Sequence, residues 1–269
     1  MKTIHALLLS AACAFAFASA AQAQTSDFAE LIPTPMLQKD LTAYAGAGIV
    51  TLPKYADGSK QEVLPLPILD LEWKSGVFFG TQTGYGYNFS QSPGFQYGVR
   101  IGLIMDQQQS AKNDGNGPGN TRTDVSPSAF WNMWISREFT ILTAVNSGGG
   151  IGKQHDGTTV SAGLRYWDKI GETDRIKAIL STSWANLHYM QDYYGVSQEQ
   201  SVEYDVPEWN AKAGMLNTKA SVTWYHPLNA KWTLVAGGWV THPYGAAADS
   251  PLTSSKNLVT AYTGAYYAF

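Results

Sequence analysis

Hydrophobic and polar side chains alternate along most of this chain with a period of two residues. In the stretch 95–106, FQYGVRIGLIMD, the odd-numbered positions are all apolar or aromatic, whereas the even-numbered positions are mostly glycine, polar or charged. A β-strand places successive side chains on opposite faces, so this pattern predicts one apolar face and one mixed face. The run is longer than the usual strand of about five or six residues and matches a tilted strand that crosses a membrane.

The same alternation recurs in further segments along the chain. They are Leu41–Thr51, Val63–Trp73, Val77–Phe89, Val125–Ile135, Phe139–Asn146, Thr159–Trp167, Ile176–Asn186, Leu216–Tyr225, Trp232–Thr241 and Leu258–Phe269. Some connections are short and polar and others are long, as in barrels with short turns at one end and long loops at the other. The prediction is an all-β, antiparallel up-and-down transmembrane β-barrel. Because eleven candidate strands are odd in number and bacterial barrels have even numbers, the count is 10 or 12: either 41–51 does not span the membrane, or a twelfth strand was missed.

Composition supports a membrane barrel. Charged residues make up 14% of the chain and aromatic residues 13%, whereas soluble domains average about 25% charged residues. The outer face of a membrane barrel must be apolar, and aromatic girdles mark its interfaces. The net charge of −3 and the absence of a clustered basic surface in the sequence give no reason to expect a nucleic-acid partner.

The first residues form a signal peptide in this interpretation. Residues 1–23 carry Lys2, an apolar run and the small-residue site Ala21-Gln22-Ala23, so they have the order of a secretory signal. The only cysteine, Cys13, lies inside that segment, so the exported chain would have no disulfide. Residues 24–40 are then expected to be a periplasmic N-terminal segment and residues 41–269 an outer-membrane barrel in contact with lipid.

Charged residues on the faces opposite the apolar ones are candidates for the barrel lumen. They are Asp70, Glu72, Arg100, Asp106, Arg165, Lys177 and Lys219. Because both signs are present, these side chains could pair into a network that fills the lumen, or they could line a filter for solutes. The sequence leaves both alternatives open.

The final strand carries a different signal. Residues 258–269 alternate to the last position, and Phe269 follows Tyr267 by two residues. A strand that closes a barrel cannot fray, because backbone groups inside a membrane must be paired. The aromatic ending is similar to the signal that barrel-assembly machinery recognises in outer-membrane proteins, so Tyr267 and Phe269 are predicted to act in assembly.

No pattern in the sequence points to catalysis. The histidines that follow the signal segment are His155, His188, His226 and His242, and none has metal-ligand spacing such as H-x-x-x-H. A G-x-S-x-G motif is also absent from the sequence. The loop 113–120, NDGNGPGN, lacks the closing glutamate of an EF-hand. The expectation is a protein that is not an enzyme and has no cofactor.

Several blocks resemble the MipA/OmpV family of outer-membrane proteins. They are TLPKYADGS at 51–59, LPLPILDLEW at 64–73, GYGYNF at 84–89, SWANLHYMQDYYGVSQEQS at 183–201, AADSPL at 247–252 and the terminal YYAF. The resemblance implies a scaffold that contacts a murein lytic transglycosylase and a peptidoglycan synthase. Other members are described as porin-like, so a narrow channel for small solutes is the alternative. Two of these blocks lie in long connections: YYGVSQEQS at 193–201, which ends the fourth block, and AADSPL at 247–252. These two loop blocks could fold over the barrel mouth, contact a partner, or serve only as turns.

Overall fold

The computed structural model describes residues 26–53, 61–105, 123–148, 157–253 and 255–269, and these residues form a closed antiparallel β-barrel. Each strand pairs with its neighbours in sequence, and the last strand closes against the first. The twelve strands are β1 Leu41–Pro53, β2 Gln61–Trp73, β3 Val77–Gly80, β4 Gly84–Asn88, β5 Phe95–Met105, β6 Thr123–Trp134, β7 Phe139–Gly148, β8 Gly157–Ile170, β9 Asp174–Ala185, β10 Gly214–Pro227, β11 Trp232–Pro243 and β12 Leu258–Ala268. The predicted fold class is confirmed, with the larger of the two strand numbers.

The first strand belongs to the barrel wall. β1 pairs with β2 from Leu41 opposite Trp73 to Pro53 opposite Gln61. On its other edge it pairs with β12, and Thr51 lies opposite Ala261. The segment 41–51 is therefore a full strand, and the odd count arose elsewhere.

The predicted strand Val77–Phe89 is wrong, because it is a short hairpin. β3 and β4 pair with each other, with Gly80 opposite Gly84, and the turn between them holds three residues. A three-residue turn keeps even-numbered residues on the inner side of both strands, so the alternation continues unbroken through the turn. The polar run Thr81-Gln82-Thr83 and Gly84, which has a φ of +78°, were the only signals of a reversal. This hairpin supplies the twelfth strand.

The outer face of the wall is apolar along the strands. The following large apolar side chains are exposed there: Ile49, Val63, Val99, Ile101, Val145, Val160, Leu164, Leu180, Val222, Val240 and Val259. Aromatic residues cluster near the end of the barrel that carries the short connections, which we call the turn end. Phe89 contacts Tyr97, Phe139 contacts Tyr166, and Trp232 contacts Tyr267. An apolar band bounded by aromatic residues is the surface expected of a barrel in lipid.

The opposite end, which we call the loop end, carries three short helices: α1 Leu187–Tyr194, α2 Gln198–Tyr204 and α3 Gly245–Ala248. The Asn186 side chain caps α1, and Ser197 and Gln200 form a capping box on α2. A buried cluster that includes Met190, Leu216 and Ala247 packs these connections onto the wall. No helix among the described residues is long and apolar enough to cross a membrane.

The two loop blocks singled out in the sequence lie against each other at the loop end. The Ser250 hydroxyl donates a hydrogen bond of 2.7 Å to the Tyr194 carbonyl oxygen. Val196 and Leu252 belong to one buried cluster with Val206. These contacts give both blocks a structural role in packing the long connections together.

Candidate functional site in the barrel lumen

Residues 26–37, which the sequence analysis assigned to a periplasmic N-terminal segment, pack against the inner wall of the barrel. Their exposure to the periplasm remains a prediction. The Phe28 side chain is buried in one cluster with Leu142 and Ala144 on the inner wall. Ala29 and Leu31 pack in a second buried cluster with the wall residues Phe78 and Phe130. The physical reason is that the segment carries apolar side chains that the inner wall can shield from water. We call residues 26–37 the lumen segment.

A buried ion-pair group holds the middle of the lumen segment. The Glu30 carboxylate accepts a hydrogen bond from the Lys177 ammonium at 2.9 Å and lies 3.6 Å from an Arg165 guanidinium nitrogen. Burial pushes the pKa of Glu30 upward, but the charges of Lys177 and Arg165 outweigh burial, so the pKa lies below its ordinary value. Glu30 is therefore held as a carboxylate between two cations from different strands.

Arg100 holds the beginning of the lumen segment. Its Nη2 atom donates to the carbonyl oxygens of Ser26 and Asp27 at 2.7 and 2.9 Å. Its Nε and Nη1 atoms donate to the Ser128 hydroxyl and the Thr83 carbonyl oxygen. The neighbouring Asp27 carboxylate accepts from Lys219 at 3.1 Å. A buried guanidinium that donates to backbone carbonyl oxygens holds the main chain in place, and the same hydrogen bonds compensate the guanidinium charge.

Neutral and acidic wall residues bind the remaining backbone of the segment. Glu72 accepts a hydrogen bond from the Ile32 amide at 2.9 Å, and Gln96 donates to the Ile32 carbonyl oxygen at 3.0 Å. Asn132 donates to the Ala29 carbonyl oxygen at 2.7 Å. Together with the ion pairs, these contacts connect the lumen segment to strands on several sides of the barrel. The segment therefore lies across the lumen at this level.

The structure brings five of the predicted lumen residues into contact with the lumen segment: Glu72, Arg100, Arg165, Lys177 and Lys219. Asp70 lies next to Glu72 on the same inward face of β2, and its Oδ1 atom is buried without a hydrogen-bond partner among the described residues. Asp106 lies outside the described residues. The mixed charges thus meet mainly through the lumen segment.

Sequence reasoning missed the lumen segment itself. The wall candidates include four cations, and two of their acidic partners, Asp27 and Glu30, precede the first strand. The imbalance of inward charge, together with Phe28 and Leu31 in an otherwise unassigned segment, was the available signal. A strand pattern cannot show that a non-strand segment folds back into the lumen.

The predicted assembly residues lie at the closing edge of the barrel. Tyr267 packs between Trp232 and Phe269, and its hydroxyl accepts a hydrogen bond from Lys231 at 2.7 Å. The Phe269 amide donates to the Ala43 carbonyl oxygen, and the Phe269 ring is 64% exposed. The backbone amide of Phe269 is therefore paired with β1, whereas its side chain is exposed to a possible contact partner. Recognition by assembly machinery remains a prediction.

The described residues contain no group of acidic, histidine and cysteine side chains that could hold a metal ion. The arrangement of the lumen pairs Arg165, Lys177 and Lys219 with acidic residues of the lumen segment. Fold and lumen together define a class: a β-barrel of the outer-membrane type whose lumen holds residues 26–37 of its own chain.

Within that class, the chain belongs to the MltA-interacting protein MipA family, whose model matches residues 45–269. No curated protein sequence matches the chain significantly. Among solved structures, an outer membrane channel from Pseudomonas putida F1 is similar at 8% identity with a TM-score of 0.47, covering 87% of this chain and 97% of that one. The NanC porin is similar at 8% identity with a TM-score of 0.41, covering 84% of this chain and 98% of that one. The Pseudomonas putida toluene transporter TodX is similar at 10% identity with a TM-score of 0.41, covering 93% and 97%.

Proposed function

We propose that this protein is an outer-membrane barrel, closed at rest, that serves as a binding scaffold for peptidoglycan-remodelling enzymes. The observation that carries the proposal is the lumen segment, whose apolar side chains and ion pairs connect it to the inner wall across the barrel interior. A constitutive channel needs a free path through the lumen, whereas a scaffold does not. The family description, MltA-interacting protein, supports a murein lytic transglycosylase as one partner. The peptidoglycan synthase is proposed as the other on the family resemblance alone.

The turn end offers a surface for such partners. Short turns of outer-membrane barrels face the periplasm, where enzymes that act on peptidoglycan work. Ile135, Ile170 and Leu228 lie at three of these turns and are about half exposed or more, and Met36 of the lumen segment is exposed at the same end. Exposed apolar residues close to charged turn residues are suited to a protein interface.

The alternative function, a narrow pore, requires the lumen segment to leave. One observation favours this as a second state. Four cations of the wall contact the lumen segment and would lose these partners if the segment left. They are Arg100, Arg165, Lys177 and Lys219. The exposed cations would attract small anions into the lumen. A pore of this kind would open only after the ion pairs break.

Capture of partners tests the scaffold. The full-length barrel in mild detergent, immobilised and exposed to a periplasmic extract, should retain a lytic transglycosylase and a peptidoglycan synthase. The variant Ile135→Glu/Leu228→Glu should retain at least about tenfold less, because charge disrupts an apolar interface core. Val202→Glu is the matched control, since Val202 is 82% exposed on α2 at the loop end. Equal retention by all three proteins, or by none, would contradict the scaffold.

Conductance in a planar bilayer tests the alternative. We expect no stable open level for the full-length chain at neutral pH, and anion-selective openings after deletion of the lumen segment, residues 26–37. Steady conductance of the full-length protein would overturn closure at rest and favour the pore.

A further inference from the structure

The outer wall of the barrel carries an apolar groove that crosses strands β4 to β7. The volume of the groove is about 510 Å³. Outward residues of paired strands stand beside one another, and here they form two rows that run across the strands. One row contains Tyr87, Val99, Ala129 and Val145, and the row nearer the loop end contains Tyr85, Ile101 and Pro127.

Small side chains on β6 give the groove its depth. Ala129 and Pro127 are the outward residues of β6 at this level, and both are exposed. Strands favour β-branched and aromatic residues, and proline is uncommon inside a sheet, so this pair of small side chains is unusual. On β4 the outward residues are Tyr85 and Tyr87, which are large and exposed. The surface therefore sinks from the tyrosines of β4 to the floor formed by β6.

An aromatic shelf closes the groove towards the turn end. It consists of Trp131, the next outward residue of β6, and Tyr97, which lies opposite it on β5. The Tyr97 ring is held between two others, since its centroid lies 6.1 Å from that of Phe95 and 5.9 Å from that of Phe89. Indole and phenol rings combine an apolar body with a hydrogen-bond donor, so they are enriched where lipid chains meet lipid polar groups.

The groove extends from the shelf into the apolar band of the wall. In an outer membrane the short turns of a barrel face the periplasm, so the shelf lies near the polar groups of the periplasmic leaflet. Above the shelf, Val99, Ile101 and Val145 are exposed on the same outward face. A lipid with its ester groups at the shelf would therefore direct an acyl chain along the groove.

The width of the groove suits an acyl chain better than a protein element. β4 and β7 are three strand spacings apart, about 14 Å, and the tyrosines of β4 occupy part of this width. A helix with its side chains is about 10–12 Å across, so it would rest on the rim without reaching Ala129. An acyl chain is thinner and can reach the floor. There it gains dispersion contacts on several sides, which a chain on a flat wall lacks.

We propose that this groove binds one acyl chain of a glycerophospholipid, whose ester carbonyl oxygen accepts hydrogen bonds from the Tyr97 hydroxyl and the Trp131 indole nitrogen. Arg100 also borders the groove, but its side chain points into the lumen and donates to the lumen segment. The groove therefore selects the chain and the ester linkage rather than the charge of the head group. The proposal rests on the barrel lying in a membrane and is independent of the scaffold and its partners.

Lipid retention tests the groove. The full-length barrel is reconstituted in palmitoyl-oleoyl phosphatidylglycerol, extracted into octyl glucoside and analysed by native mass spectrometry, which counts the bound lipids. We expect one retained lipid, and at least about tenfold less retention by Ala129→Trp, because the indole ring would fill the floor of the groove. Ala220→Trp is the matched control, since Ala220 is an exposed alanine on β10 that lies between Leu180 and Val240.

The same spectra give the results that would contradict the lipid site. Equal retention by all three proteins, or by none, would overturn it. A dimer that becomes a monomer in Ala129→Trp without a change in lipid count would also overturn it, because a second copy would then occupy the groove. The heat-shifted gel position of each variant shows that its barrel is folded.

Competition between ester and ether lipids tests the shelf. The barrel is reconstituted in equal amounts of diester and dialkyl ether phosphatidylglycerol with the same chain lengths, since the ether lacks the carbonyl acceptor. The diester should be retained about fivefold more, which is the effect of one hydrogen bond. Tyr97→Phe/Trp131→Phe keeps an aromatic ring at both positions without the donors, so it should retain both lipids equally. Equal retention by the unaltered protein, or an unchanged preference in the variant, would overturn the role of the shelf.

Discussion

Glu30 is the residue on which most of the lumen charge depends, because Lys177 and Arg165 both contact its carboxylate. All three side chains are largely buried, and removal of one partner from a buried ion pair leaves the others without compensation. The inward direction of Arg165 and Lys177 follows from strand alternation and could be predicted. Glu30 as their partner could not, because a segment without periodicity gives no information about which strands it will contact.

Loss of the Glu30 charge should release the lumen segment. The pKa of Glu30 is lower in the folded protein than in the unfolded chain, so its stabilisation is complete above the unfolded pKa of about 4.3 and is lost as pH falls through the folded pKa. Glu30→Gln should weaken docking by about 3 kcal/mol at pH 7 and remove most of the pH dependence. A nitroxide at position 28 would report this as faster motion in its spectrum.

Asp27→Asn is the matched control for this experiment. Among the residues that the structure describes, the ion-pair partner of Asp27 is Lys219, and both side chains are more exposed than those around Glu30. We expect a smaller loosening of the segment and a pH response close to that of the unaltered protein. A nitroxide that stays immobile in Glu30→Gln at every pH would show that apolar packing alone holds the segment.

At the scale of elements, the alternation predicted the wall well and its local reversals poorly. Long strands such as β5 and β12 lie where the pattern placed them, because burial on one face and lipid on the other impose a period of two. The β3–β4 hairpin was not predicted, because its three-residue turn leaves the alternation of inward and outward residues unchanged. The helices of the loop end were not predicted either. They are short, and contacts with other loops stabilise them, such as the hydrogen bond from Ser250 to Tyr194.

The terminal strand offers an element-scale prediction. Phe269 adds one backbone hydrogen bond to β1 and one exposed ring, so its deletion should cost the finished barrel no more than about 2–3 kcal/mol. The yield in the outer membrane should fall further than this loss implies, while refolding in detergent remains near normal. The two yields are measured side by side. An equal fall in both would mean that Phe269 acts only in packing.

At the scale of the whole molecule, stability depends on closure. Every strand has partners on both edges for at least part of its length, so no strand can leave the sheet without the loss of two sets of hydrogen bonds. The protein should therefore resist SDS at room temperature and migrate differently on a denaturing gel before and after boiling. The migration of both samples, with β-type circular dichroism before heating, provides the measurement. Identical migration together with absent β signal would contradict the closed barrel.

The lumen segment immediately precedes β1, and Lys39 donates a hydrogen bond to the Phe269 carbonyl oxygen across 230 positions of sequence. The partners of the first described residues therefore lie on strands that are synthesised much later. Contacts of such long sequence separation slow folding, since chain entropy is lost before they form. We therefore expect docking of the segment and closure of the β1–β12 seam to be late kinetic events, so that residues 26–37 reach their native position after strands that are synthesised later.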